Sequence, residues 1–208
     1  GPTHPASTSA ALPVDRVEWL WMGGLEPQAV TVTAALVPGA EQATLVATRD
    51  ADPDGAGGPT GGGGSDAPRS AASVPGSHGI VRLRLEGLRP ATAYTLTVEV
   101  DGVADRSRGV ARLQTPAVGP MSFRLAVASC ARTSSNGAVL DEIARTDPRL
   151  FLELGDLHYR NLEATTPEPF LSAFDDVLTR PGWAALLRRV PMAYVWDDHD
   201  YGPNDADA

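Results

Sequence analysis

The chain changes its hydrophobic period once, near residue 117, and that break decides what it can fold into. Before the break, apolar residues recur at every second position: Val17, Trp19 and Trp21, then Val30, Val32 and Ala34, then Leu45 and Ala47, then Val81, Leu83 and Leu85. Tyr94, Leu96, Val98 and Val100 continue the series. A period of two places alternate side chains on one face, as half-buried strands require. Turn-forming pairs stand between the runs: Gly23-Gly24, Pro38-Gly39 and Asp101-Gly102. Short strands with such breaks, and no helical period, predict an antiparallel sandwich.

One segment sharpens that expectation. Leu88, Pro90, Thr92 and Tyr94 read L-x-P-x-T-x-Y. This resembles the segment before strand F of fibronectin type III domains, where the tyrosine hydrogen-bonds back to upstream backbone. Residues 50–77 are rich in Gly, Pro, Ala and Ser, and predict a flexible loop that cannot bury enough apolar surface to fold. Its tract Gly61 to Gly64 lacks the following Lys-Ser/Thr and helix of a phosphate-cradling loop.

Beyond Gly119 the pattern turns to short apolar runs and helical stripes. Phe123 to Ser129 is an apolar run, expected for a strand buried on both faces. Ala138, Leu140, Ile143 and Ala144 keep a helical stripe through Arg145, with Asn136 available as cap. Leu150 to Leu154 predicts a second buried strand, ending at Gly155-Asp156. A helical region from Pro167 to Arg189, broken at Pro181-Gly182, precedes a third strand from Met192 to Trp196. Strands alternating with helices imply a mostly parallel sheet with helical crossovers. The expected class is α+β and multidomain: a fibronectin-III-like antiparallel β-sandwich over residues 1–116, then part of an α/β domain over 117–208.

Bulk properties exclude several functions. The net charge of -9 argues against duplex nucleic acid as a partner. No apolar run approaches the ~18–20 residues of a membrane span. The single cysteine, Cys130, excludes an internal disulfide. No signal peptide is visible, and Gly1-Pro2, with no initiator Met, resembles the scar left by removal of a tag, so the natural N-terminus is expected to be missing.

Each apolar strand after Gly119 runs directly into polar residues: Ser129-Cys130, then Gly155-Asp156-Leu-His-Tyr159, then Asp197-Asp198-His199-Asp200. In open α/β sheets ligands bind beyond the carboxyl ends of the strands. Carboxylates suit hard cations such as Ca²⁺ and Mg²⁺, whereas thiolate and phenolate suit a transition metal such as iron. Each residue also has a plainer reading: a small buried thiol, a Gly-Asp turn, a solvated acidic tail.

Taken in order, Phe123-x-x-Ala126-x-Ala128-Ser129-Cys130, Phe151-x-x-Leu-Gly-Asp156-x-x-Tyr159 and Trp196-Asp-Asp-His199-Asp200 resemble the signatures of PhoD-like (alkaline phosphatase D) enzymes, a branch of the calcineurin-like metallophosphoesterases. Ser-Cys stands where the wider group has D-x-H, Tyr159 where it has a second Asp, and Asp198 where it has Asn. The resemblance implies metal-dependent hydrolysis of phosphate esters, with Cys130, Asp156 and Tyr159 as ligands of Fe³⁺. Asp156 would bridge to a Ca²⁺ site that includes Asp198, and His199 would be the catalytic group that assists phosphoryl transfer. Asp197 is open between ligand and support, while Asn204 and Asp205 lie near the substrate edge without a motif to give them a role. The resemblance further implies a second half of the site beyond Ala208, or in a separate chain, so that residues 1–208 alone are expected to be inactive. A phospholipase or teichoic-acid-type diesterase, and a non-catalytic binding fragment, are the alternatives. The expected location is secreted, periplasmic or at the cell surface.

Overall fold

The computed structural model describes residues 15–51, 67–132 and 137–207. Two antiparallel sheets come first. One is built from β1 (Val17–Glu26), β2 (Ala29–Leu36) and β4 (Ile80–Glu86), in the order β1-β2-β4. The other pairs β3 (Ala43–Arg49) with β5 (Ala93–Val100), whose far edge carries the short β6 (Val103–Ala104) and then β7 (Val110–Gln114). Their inward residues, among them Val30, Val32, Leu45, Leu83, Leu85, Leu96 and Val98, form one buried core. The tyrosine corner is present: the Arg89 amide donates to the Tyr94 hydroxyl at 2.9 Å. Asp105 closes the sheet at the bottom. Its buried carboxylate accepts from the Arg16 and Val17 amides at 2.8 and 3.1 Å and from the Ser107 and Gly109 amides, both at 2.9 Å.

Three local expectations change. Gly23-Gly24 is not a turn; it lies inside β1 at a register shift, with Gly24 at φ +52°, and the chain reverses at Pro27-Gln28. The spare residue of a bulge bends a strand without ending it, which glycine permits. Second, part of the expected 50–77 loop is ordered against β3: Ser70 exchanges bonds with Leu45, and Ser73 with Ala43. These bonds use backbone groups that the edge of β3 would otherwise leave open. Residues 52–66, with Gly61 to Gly64, lie outside the described residues, as does the expected cap Asn136.

The second unit is a parallel sheet of β8 (Leu125–Ala128), β9 (Leu150–Glu153) and β10 (Met192–Tyr194), in the order β10-β9-β8. Helix α1 (Ala138–Arg145) connects β8 to β9, and α2 (Glu168–Leu178) with α3 (Pro181–Leu187) connects β9 to β10. Phe151, Leu178, Trp183, Leu186, Leu187 and Met192 pack between sheet and helices. Two residues of the sandwich, Trp19 and Ala35, belong to this same core. A register shift between Val17 and Trp19 turns the strand over, so Val17, Leu20 and Met22 face the sandwich core while Trp19 faces the helices. The Trp19 indole donates to Asp175 at 2.7 Å, and the Arg112 amide to the Arg188 carbonyl at 2.8 Å.

The third change concerns β8, expected to be buried on both faces. Its inward residues Ala126 and Ala128 pack on the core, but Leu125 and Val127 are 48 % and 52 % exposed. The helices, among the described residues, cover one side of the sheet. Among the described residues no helix is long and apolar enough to cross a membrane.

Candidate metal centre

The carboxyl ends of the three parallel strands are laced together past their last residues. The Leu154 amide bonds the Ala128 carbonyl at 2.8 Å, Cys130 bonds Gly155 at 3.1 Å, and Ala131 bonds Asp156 at 3.0 Å. On the other side the Val195 amide reaches Glu153 at 3.0 Å. This lacing brings three polar strand ends to one edge.

Each end is locally unusual. Cys130 and Asp156 hold φ at +58° and +59°, and Gly155 at +97°. The left-handed region costs an L-residue roughly 1–2 kcal/mol, and such strain gathers at functional sites. Only glycine fits at 155, because a Cβ there would run into the Cβ of Asp197. The third end turns into a 3₁₀ turn, Asp198–Asp200, capped by Asp197, whose carboxylate accepts from the Asp198 amide at 3.0 Å. Asp197 therefore serves as a cap.

Asp156 stands at the centre. Buried to 3 % exposure, it accepts from the Cys130 thiol at 3.5 Å through one oxygen and from the His199 amide at 3.3 Å through the other. Ligand atoms of Asp156, Asp198 and His199 all lie within 4.8 Å of one another, a spacing that one cation can bridge. The Tyr159 ring lies 4.1 Å, centroid to centroid, from the His199 ring. All five residues singled out in the sequence thus meet at one edge. Asp205 joins them, since its amide donates to the Asp198 carboxylate, while the Asn204 amide bonds Asn161 at 3.0 Å. His199 was expected as a catalytic group rather than a ligand; here it stands close enough to be either.

Burial pushes the Asp156 carboxyl up, partly offset by the Cys130 thiol and the His199 amide. Repulsion from Cys130, then burial and three carboxylates, pushes the Tyr159 phenol up. Asp198 is held low, chiefly by the Asp205 amide. His199 Nε2 is buried with no hydrogen-bond partner. Asp156 and Tyr159, which resist ionisation, beside the ionised Asp198 and an orphaned imidazole nitrogen, fit a bound cation, which would favour the charged forms.

The sequence reading gave no role to three residues here. Asp200 sits behind the turn, 6 % exposed. Glu153 is buried with neither oxygen partnered, and burial, Asp200 and Asp156 push it up to about 7. His158 is fully buried with both ring nitrogens unpartnered and is held low by burial. A polar Glu inside the run Leu150-Phe-Leu-Glu-Leu was the one visible signal.

Comparison with known proteins adds the fold. No family model matches the chain. No curated protein matches its sequence. The solved structure of PhoD is similar over 90 % of this chain at TM-score 0.72 and 16 % identity. At that identity the likeness is one of fold, and the chain spans 40 % of the length of the PhoD chain. The fn3 domain of human collagen alpha-1(XX) chain aligns over 56 % of this chain and 98 % of its own, at TM-score 0.34 and 21 % identity. For the fn3 domain of human contactin 1 the figures are 59 %, 99 %, 0.35 and 15 %.

Proposed function

We propose that this chain carries the metal-binding part of a phosphoester hydrolase, with residues 1–116 as a fibronectin-III-like domain and 117–208 as the first half of a metallophosphoesterase domain. The observation that carries this reading is the meeting of Asp156, Asp198 and His199 at the carboxyl edge of a parallel sheet. The PhoD-like fold supports it independently. Asp156, Cys130 and Tyr159 would hold Fe³⁺, and Asp156 with Asp198 would hold Ca²⁺. Such ions supply an acidified water and neutralise phosphate oxygens. The residues of the chain do the rest. Asp156, placed between the thiol and the turn, sets the spacing of the two ligand groups. The His199 ring, tilted against Tyr159 and with no hydrogen-bond partner at its buried Nε2, can donate from that nitrogen to a phosphoryl or leaving-group oxygen brought up to it. The substrate is a phosphate ester, and placement outside the cytoplasm belongs to the same reading.

The partner is a second half of the catalytic domain, in the same or a separate polypeptide. The face of the parallel sheet that no described element covers favours this, because parallel sheets are ordinarily covered on both sides. That observation also supports the second reading, a fragment that binds metal without turnover. Hydrolysis of p-nitrophenyl phosphate and of its bis-ester, with and without a second half, tests both readings and separates monoesterase from phospholipase- or teichoic-acid-type diesterase chemistry. Metal analysis of the purified chain accompanies it. A chain that takes up neither iron nor a divalent cation overturns the proposal.

A further inference from the structure

Asp200 stands outside the Asp156–Asp198–His199 cluster, and both its oxygens accept from backbone amides. Oδ2 accepts from the Asp156 amide at 2.8 Å and the Asp197 amide at 3.0 Å, and Oδ1 accepts from the Leu157 amide at 3.0 Å. The two amides on the β9 side are consecutive, and the residue between the glycine and Leu157 is left-handed, with φ +59° at Asp156 after +97° at Gly155. Consecutive N–H groups in such a turn converge into a concave anion site. Here the anion in the concavity is a side chain of the same protein, 6 % exposed.

The position of Asp200 in the chain gives this arrangement its consequence. Asp200 closes the turn that carries Asp198 and His199, while the amides it binds belong to the loop that carries Asp156. One carboxylate therefore sets the distance between two loops that reach the site from different strands. It also offsets the left-handed strain at Asp156 through charge-assisted bonds, about twice as strong as neutral ones.

We propose that Asp200 is the positioning residue of the metal centre: its carboxylate is not a ligand, but it locks the Asp156 loop to the Asp198–His199 turn at ligand spacing. The inference rests on the metal-binding reading above. Replacement by Asn keeps the shape but turns an N–H₂ toward amides that need an acceptor. Replacement by Glu keeps the carboxylate.

The test uses the 208-residue chain with Mn²⁺ alone for affinity, by calorimetry, and Co²⁺ alone for ligand geometry, by its visible spectrum. Asp200→Asn is expected to lower Mn²⁺ affinity by about 10–100-fold, the range for groups that orient ligands. The Co²⁺ bands should shift at a temperature where circular dichroism shows a folded chain. Asp200→Glu should recover most of the affinity and the original bands. Folded Asp200→Asn with wild-type affinity and spectrum overturns the inference and leaves the metal reading standing. So does an Asp200→Glu chain, folded, that binds no better than Asp200→Asn, and so does an Asp200→Asn chain that is unfolded even at 4 °C in sucrose, since Asp200 would then serve folding alone. A wild-type chain that binds neither of these ions, nor iron, nor Ca²⁺, overturns the metal reading itself.

Discussion

Cys130 and Asp156 pair left-handed backbone with a shared hydrogen bond, and the thiol and carboxylate meet although 26 residues separate them. If both touch one ferric ion with Tyr159, charge donation from thiolate and phenolate makes the iron-loaded protein coloured. Cys130→Ala and Tyr159→Phe should each shift or abolish the visible band, and Cys130→Ala should also lower iron content. Full iron with an unchanged spectrum in Cys130→Ala removes the thiol from the ligand set. His199 makes a different demand. In a turnover-competent form, His199→Ala should lower kcat by about 10²–10³, as loss of one stabilising interaction does, while metal content holds. A drop below about tenfold with metal retained gives the ring a structural role, and loss of the ion makes it a ligand. Cys130, Asp156 and Asp198 were legible because each stands two residues past an apolar run, a pattern that strand ends impose on sequence, and Tyr159 and His199 because the resemblance carried them. Asp200 was not, because its worth lies in bonds to amides 43 and 44 positions away, and a hydrogen bond to backbone leaves no trace in residue type.

Elements were read well where one period held and poorly where a bulge or an edge intervened. The alternation of β1 was visible, but the shift between Val17 and Trp19 that hands Trp19 to the second core was not. No residue type marks a non-glycine bulge. The run of β8 resembled a strand buried on both faces because apolar side chains do not declare which layer covers them. Two predictions belong to this scale. Asp105 satisfies four amides of the sandwich, so Asp105→Ala should cost about 3 kcal/mol or more of unfolding free energy, measured in urea. A loss under about 1 kcal/mol would mean that water replaces the carboxylate. Glu153 gives a pH signature in the metal-free chain. Its carboxyl is raised in the folded state from 4.5 to about 7, so the folded protein holds a proton that the unfolded chain releases between those values. Stability should therefore be whole below pH 4.5, fall as pH rises through that window, and stay lower above pH 7. The gap corresponds to about 3 kcal/mol at most. Glu153→Gln should flatten this slope, giving a higher melting temperature than wild type at pH 8 but not at pH 4.5. Parallel melting curves of the two proteins across the range would assign the slope to another group.

At the scale of the whole molecule, the sandwich and the parallel sheet are bound by a shared core and by the Trp19–Asp175 and Arg112–Arg188 bonds, so the sandwich forms one wall of the parallel-sheet unit. Among the described residues no second layer of elements covers the opposite wall of the parallel sheet. Leu125 and Val127 of β8 stand beside Leu150 and Leu152 of β9, and Val195 extends the strip at 53 % exposure. An apolar strip across parallel strands is ordinarily buried under a second layer. If that layer also completes the site, a charge in the strip should separate metal binding from catalysis. Val127→Lys places its ammonium in solvent in the 208-residue chain, so Mn²⁺ affinity and melting temperature should stay near wild type. In any form that hydrolyses p-nitrophenyl phosphate, the same lysine would be buried unpaired, and turnover should fall at least tenfold or assembly should fail. Wild-type turnover from Val127→Lys would show that this face stays open during catalysis, and that the edge holding Asp156, Asp198 and His199 is completed from elsewhere.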